Sequence, residues 1–281
     1  MSLSGSAKIA GIIGWPVDHS LSPRLHGYWL DQYGIDGSYI PLAVAPDNLA
    51  DALAALPKFG FVGANITVPH KEAAFALVDR VDDEAARIGA VNTIVVSKDG
   101  SLEGRNTDGY GFIESLSIGA DLQIIKDKPV VILGAGGAAR SIIVALQDYG
   151  VGSIRLLNRT LRRAEQMRDE IGGDIDVVQW DQRAEALCDA MLLVNTTTLG
   201  MNGQPALELA LDALPMTAIV NDIVYGPLET KLLAMAADRG NPIVDGVGML
   251  LHQARPGFAA WFGRAPEVTE ALRAHVLGWS R

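Results

Sequence analysis

Ser20 and Ser22 stand two residues apart in "DHSLSPRLH", directly after the apolar run "KIAGIIGWP", and Pro23 stiffens the exit. On an extended backbone, side chains two apart point to the same side, so the paired hydroxyls can clasp a small anion such as a carboxylate. A helix start explains the same letters, because serine before proline is the preferred N-cap-then-N1 order. Both readings stand on this stretch alone. Further along, "NITVPHKEA" sets Asn65, Thr67 and Lys71 around a strand end and helix start, and "GRNTDGYG" supplies Asp108. A lysine opening a helix opposes the dipole, where glutamate would be favoured. Its placement invites a role in proton transfer, with a solvated surface lysine as the plain alternative.

A second constellation points to a nucleotide. "KPVVILGAGGAARSIIVAL" reads as strand, glycine turn and helix, with Gly134, Ala135, Gly136, Gly137 and Ala138 at the turn and Ala139 behind it. In that order the glycines permit a tight turn and a close approach of backbone amides to a pyrophosphate, which the helix N-terminus favours electrostatically. An unliganded tight turn is the alternative. About 20 residues on, an NAD site carries Asp or Glu for the ribose hydroxyl. Here "SIRLLNRTLRR" offers Asn158, Arg159 and Thr160 instead, with Arg162 and Arg163 close behind. Guanidinium groups match a 2'-phosphate, so the expected cofactor is NADP. One or both of the last two arginines could equally be solvated helix charges.

Alternating strand and helix patterns must position these residues, and they argue for an α/β architecture with largely parallel sheets. The first third offers strands "KIAGIIG", "SYIPLAV", "FVGANITV" and "AVNTIVVS", separated by helical spacing and closed by a turn at "KDG". In the middle third, runs such as "VVIL", "MLLVNT" and "AIVND" are apolar on both faces, as central strands of a doubly wound sheet are. After Asp245 two helical stretches follow with no strand between them, so they are expected to pack back on the first domain. The expected domains are 1–107, 108–245 and the terminal helices 246–281.

Composition narrows the function further. With 23 basic and 33 acidic residues the chain carries a formal charge of -10, which gives no general attraction to nucleic acid or anionic membrane. Cys188 stands alone, excluding an internal disulfide and suiting a reducing compartment; its setting in "EALCDAM" reads as an apolar helix position. No apolar signal core or run of membrane-spanning length is seen, so a cytoplasmic protein is expected. The histidines His19, His26, His70, His252 and His275 lack metal-ligand spacing, and no metal is expected. His26 and His275 read as packing residues.

Taken together, "GWPVDHSLSPRLH", "NITVPHK", "GAVNT", "NTDGYG", "GAGGAAR", "NRT", "NTTTLGM", "DIVYGPLET" and "DGVGMLLHQA" resemble the shikimate dehydrogenase family, in order and over nearly the whole chain. The resemblance implies an N-terminal α/β substrate domain, a Rossmann NADP domain and C-terminal helices returning to the first. It implies reversible NADPH-dependent reduction of 3-dehydroshikimate to shikimate in aromatic amino-acid biosynthesis, by a monomer or homodimer with no nucleic acid or membrane partner. On the matching positions, Lys71 and Asp108 are the catalytic pair. Ser20 and Ser22 hold the substrate carboxylate with Tyr225, while Thr67, Asn92 and Gln253 surround the ring hydroxyls. The glycine turn, Asn158, Arg159, Thr160, Arg163, Gly246 and Met249 contact the cofactor. Gly27 and Thr198 stand where the family pattern commonly differs, at positions without a catalytic role. A broader quinate/shikimate enzyme and a noncatalytic NADPH-binding regulator are the competing readings; retention of Lys71, Asp108 and the serine pair disfavours the regulator.

Overall fold

A computed structural model describes residues 3–278. Two compact units emerge, one of residues up to Thr107 together with Leu251 onward, the other of Asp108–Leu250. The first contains β1 (Lys8–Gly14), α1 (Ser22–Gln32), β2 (Gly37–Ala43), α2 (Leu49–Ala55), β3 (Phe61–Ile66), α3 (Lys71–Leu77), β4 (Arg80–Val81), α4 (Asp83–Ile88), β5 (Thr93–Val96) and β6 (Leu102–Arg105). Its strands lie in the order β2-β1-β3-β5-β6-β4.

This sheet is mixed, where the alternation of elements suggested parallel pairing. β1 runs parallel to β2 and β3, but β5 is antiparallel to both β3 and β6. The β5–β6 pair has a local cause: the "KDG" turn closes with Ser97 N–H on Ser101 O at 2.9 Å and Gly100 at φ 86°, making a hairpin, and a hairpin pairs antiparallel.

The second unit contains α5 (Asp108–Gly119), β7 (Pro129–Leu133), α6 (Gly137–Tyr149), β8 (Ser153–Leu157), α7 (Leu161–Ile171), β9 (Ile175–Val178), β10 (Leu192–Asn195), β11 (Ile219–Asp222), α8 (Lys231–Arg239) and β12 (Ile243–Val244). All its strands pair parallel, in the order β12-β11-β10-β7-β8-β9. Counted from β7 this is the doubly wound dinucleotide-fold order. Alternate residues of each strand enter different cores, which explains the apolar runs. Val130, Ile132, Leu192 and Val194 pack with Phe112, Ile142 and Met167 on one face. On the opposite face Val131, Leu133 and Leu193 pack with Leu232 and Leu233.

The chain ends in α9 (Gly246–Phe262) and α10 (Glu270–Leu277). The boundary between the units falls inside α9, so its second part and α10 do return to the first unit. Trp261 anchors that return: its indole N–H donates to Ile94 O at 2.9 Å. A side chain at Gly63 would collide with this indole and with the Ile94 carbonyl, so the strand stays bare there. Around it, His26 stacks on Tyr39 with ring centres 4.0 Å apart, and Phe258 and Trp261 close the cluster. Among the described residues no helix is long and apolar enough to cross a membrane.

Two local expectations are corrected. Ser22 is the first residue of α1, Leu21 occupies the cap position, and no side chain caps the helix. Cys188 is an exposed thiol just after a short 3-10 turn, Glu185–Leu187, because that segment is too short to present an apolar helix face.

Candidate active site

In the first unit, the quoted residues gather at the C-terminal ends of the parallel strands and the start of β5. Ser20 and Ser22 follow β1, and the Ser22 N–H donates to Ser20 Oγ at 3.3 Å. That contact holds the Ser20 hydroxyl against the Ser22 backbone. Thr67 follows β3, where its N–H bonds Ile13 O at 2.9 Å and its methyl fills the space that Gly14 leaves. Lys71 opens α3, half-buried, and its own carbonyl accepts from Val91 N–H at 2.9 Å, which places it beside Asn92. His70 is buried and its Nε2 pairs with Val44 O at 2.7 Å, a bond that steadies the start of the lysine helix.

Asn92 lies at the centre of a buried chain whose polarity can be read. A backbone N–H only donates, so the Thr107 N–H at 3.0 Å identifies the facing atom of Asn92 as Oδ1. The Thr93 hydroxyl donates to the same oxygen at 2.9 Å. Asn92 Nδ2 then faces Thr107 Oγ1 at 2.9 Å and Gln253 Oε1 at 3.3 Å. In turn Thr107 Oγ1 donates to Gln253 O at 2.8 Å. On the other side Asn65 Nδ2 donates to Asn92 O and Thr93 Oγ1, both at 3.1 Å, leaving its Oδ1 to accept from the Tyr39 hydroxyl at 2.6 Å. Burial drives the Tyr39 phenol well above its usual range, opposed by a hydrogen bond from Ser22. The serine pair and the Asn92–Gln253 pair are thus ends of one polar network.

Asp108, Tyr225 and the cofactor residues belong to the second unit. Asp108 opens α5 and is buried. The glycine turn follows β7: Gly134 has φ 106°, and an added Cβ would lie 2.6 Å from Thr196 Oγ1. Gly136 caps α6 without any side-chain bond, and a Cβ there would meet nothing within 4 Å. The start of α6 thus has no side-chain cap and room beside Gly136, an arrangement that fits a diphosphate. At the end of β8, Asn158 Nδ2 holds Thr160 O at 2.9 Å, and Arg159, Thr160, Arg162 and Arg163 are exposed around the start of α7. This basic, open edge fits a phosphate on the ribose.

β10 and β11 end in a second polar knot. Asp222 is fully buried, and burial pushes its carboxyl up to about 6, opposed by bonds from Thr230, Val224 and Asn195. Three residues on, Tyr225 is half-buried and its phenol is likewise raised by burial. Gly246 at the start of α9 is pressed against the carbonyls of Ile223 and Val224, where a side chain could not fit. Met249 is buried in the core beside Phe112 and Ala139.

Tyr39, Thr93, Thr107, Asn195, Asp222 and Thr230 belong to these networks and carry no role in the sequence reading. Asp222 leaves a trace in the letters, as an acidic residue closing the apolar strand "AIVND".

Residues 12–94 match the family model described as shikimate dehydrogenase substrate binding domain, and residues 119–200 match that described as shikimate / quinate 5-dehydrogenase. A shikimate dehydrogenase (NADP(+)) of Paramagnetospirillum magneticum is 61% identical over 98% of this chain and 100% of its own. The crystal structure of a Thermus thermophilus shikimate 5-dehydrogenase with NADP(H) and shikimate is 36% identical, with TM-score 0.84 over 96% of this chain and 99% of that one. A quinate dehydrogenase from Corynebacterium glutamicum in complex with NAD is 31% identical, with TM-score 0.88 over 97% and 99% of the two chains.

Proposed function

The chain belongs to the shikimate dehydrogenase family, and we propose that it catalyses the reversible NADPH-dependent reduction of 3-dehydroshikimate to shikimate in aromatic amino-acid biosynthesis. The single observation that carries this reading is identity of 61% with an NADP-dependent relative along practically the entire length of both chains. The first unit, with its return from Leu251 onward, takes the substrate domain's part, and Asp108–Leu250 take the part of the NADP domain.

When bound, the nicotinamide supplies or accepts the hydride. The chain's own residues bind, orient and move the proton. Ser20, Ser22 and Tyr225 hold the carboxylate, while Thr67, Asn92 and Gln253 hold the ring hydroxyls. In reduction, negative charge grows on the carbonyl oxygen, and Lys71 Nζ donates the proton that neutralises it. The family resemblance assigns Asp108 as the second residue of the catalytic pair. Oxidation runs the same transfer in reverse, with Lys71 Nζ taking the proton from the substrate hydroxyl. Gly134–Ala138 cradle the diphosphate, Asn158, Arg159, Thr160 and Arg163 hold the 2'-phosphate, and Gly246 and Met249 flank the nicotinamide. The enzyme acts in the cytoplasm as a monomer or homodimer.

Use of quinate is the second reading, favoured by the likeness to the Corynebacterium quinate dehydrogenase. Initial rates of oxidation of shikimate and quinate, each with NADP and with NAD, test both. Fastest turnover with shikimate and NADP is expected. No turnover of shikimate with either cofactor would overturn the proposal, and equal rates with quinate would favour the second reading.

A further inference from the structure

Asp222 has no part in the chemistry above, yet its carboxylate is fully buried and gathers donors from three separate segments. Its Oδ1 accepts from Asn195 Nδ2 at 3.0 Å and from Val224 N–H at 3.1 Å, and its Oδ2 accepts from the Thr230 hydroxyl at 2.7 Å. Each of these bonds leads outward. Asn195 turns its Oδ1 to the N–H and hydroxyl of Thr197, at 3.1 and 2.7 Å. Thr196 donates to Leu133 O at 2.7 Å, and together with Thr197 it occupies the space that Gly134 leaves by lacking a side chain. In the other direction Val224 immediately precedes Tyr225. Thr230 Oγ1 accepts from Leu233 N–H and caps α8.

A carboxylate is a costly way to fill such a place. Burying a charge is unfavourable unless donors surround it, and well-packed apolar groups commonly stabilise a fold as much or more. What the charge supplies is geometry: three donors converge on two oxygens, and the segments bearing them can meet only in one arrangement.

We propose that Asp222 is a positioning residue for both ligands, fixing through Asn195 the 196–199 turn against the glycine turn and through Val224 the backbone that carries Tyr225. The inference rests on the reading of the glycine turn as the NADP site and of Tyr225 as a substrate group.

Asp222→Asn in the full chain tests it: asparagine keeps the shape but removes the charge that strengthens the bonds from Asn195 and Val224, and its amide N–H must face a donor, either Thr230 or, turned over, Asn195 and Val224. NADP binding measured by calorimetry and the shikimate KM should each weaken about three- to tenfold, the worth of one or two misdirected hydrogen bonds, with kcat within about threefold. In a Tyr225→Phe background, Asp222→Asn should raise the shikimate KM no further, since a residue acting through Tyr225 has nothing left to position. Unchanged NADP affinity and KM alongside a lowered unfolding midpoint would reduce Asp222 to a structural residue, and so would additive effects with Tyr225→Phe. If Tyr225→Phe alone leaves the shikimate KM unchanged, the substrate reading of Tyr225 has failed. NADP affinity then decides on Asp222 alone, and its loss in Asp222→Asn upholds the cofactor half. Should that variant not fold, Thr230→Val and Thr230→Ser replace it: loss of NADP affinity in the first and recovery in the second is expected, and equal affinities overturn the proposal.

Discussion

Asn92 in the first unit is buried and bonded to Gln253, Thr107 and Thr93, whereas Arg159 and Thr160 in the second stand exposed at the edge of β8. The contrast follows from what each unit is proposed to hold. A small ring bearing several hydroxyls is distinguished by donors and acceptors at set positions, and those must be ordered when the chain folds rather than when the ligand binds. A ribose phosphate is distinguished by charge, which acts from exposed side chains and tolerates their movement. One unit therefore invests in a network, the other in a cradle of backbone and a few arginines.

The strongest way to break this contrast is at the proton donor. Lys71→Ala should lower kcat by about 10² to 10⁴, the usual worth of a positioned acid or base, and change the shikimate KM far less. Steady-state kinetics in both directions decides it, and an undiminished kcat would take Lys71 out of the reaction. Next in size is Arg159→Ala, expected to weaken NADPH about 10- to 100-fold, as loss of a charge-assisted bond implies. Affinity for NADH should barely move. Equal losses for both would mean that Arg159 does not read the phosphate.

A comparison between two glycines sharpens the cradle. At Gly134 the φ of 106° and the Thr196 contact make any side chain a folding problem. At Gly136 the φ is -116° and nothing stands near an added Cβ, so the fold accommodates alanine. Gly136→Ala should therefore keep its unfolding midpoint while NADP affinity falls about tenfold, as expected where backbone must approach a pyrophosphate. An unchanged affinity would place the diphosphate elsewhere.

The same contrast governs what the letters disclosed. The central strands of the second unit, β7, β10 and β11, are legible because they are buried on both faces, and the glycine turn because its backbone demands leave few other residues possible. In the first unit most strand positions are legible, though β4 is not, and pairing is not: the Gly100 hairpin sets β6 against β5, while β5 reaches β3 antiparallel only after the intervening α3, β4 and α4. Ser22 could not be placed from its neighbours, because cap and clasp use the same dipeptide. Least visible were Tyr39 and Thr107: their meaning lies in partners such as Gln253, which meets Asn92 from 161 residues away, and no local pattern encodes that meeting.

Acid separates the units through one buried group in each. His26 of the first unit is buried among aromatic rings, and burial lowers its pKa from 6.5 to about 3. The unfolded chain then takes a proton that the folded unit refuses, so stability present above pH 6.5 is lost as pH falls toward 3. The loss is about 1.4 kcal/mol per pH unit. Asp222 of the second unit has the opposite sign: with its pKa raised from 3.8 to about 6, the folded unit takes the proton first. Its contribution is fully present below 3.8 and is lost as pH rises through 6, with a similar slope of about 1.4 kcal/mol per pH unit. Between pH 6 and 4, hydrogen exchange should therefore show the first unit losing protection relative to the second. His26→Phe should remove the first unit's share of that divergence and Asp222→Asn the second's. If both variants diverge as wild type does, other groups set the acid response of the two units.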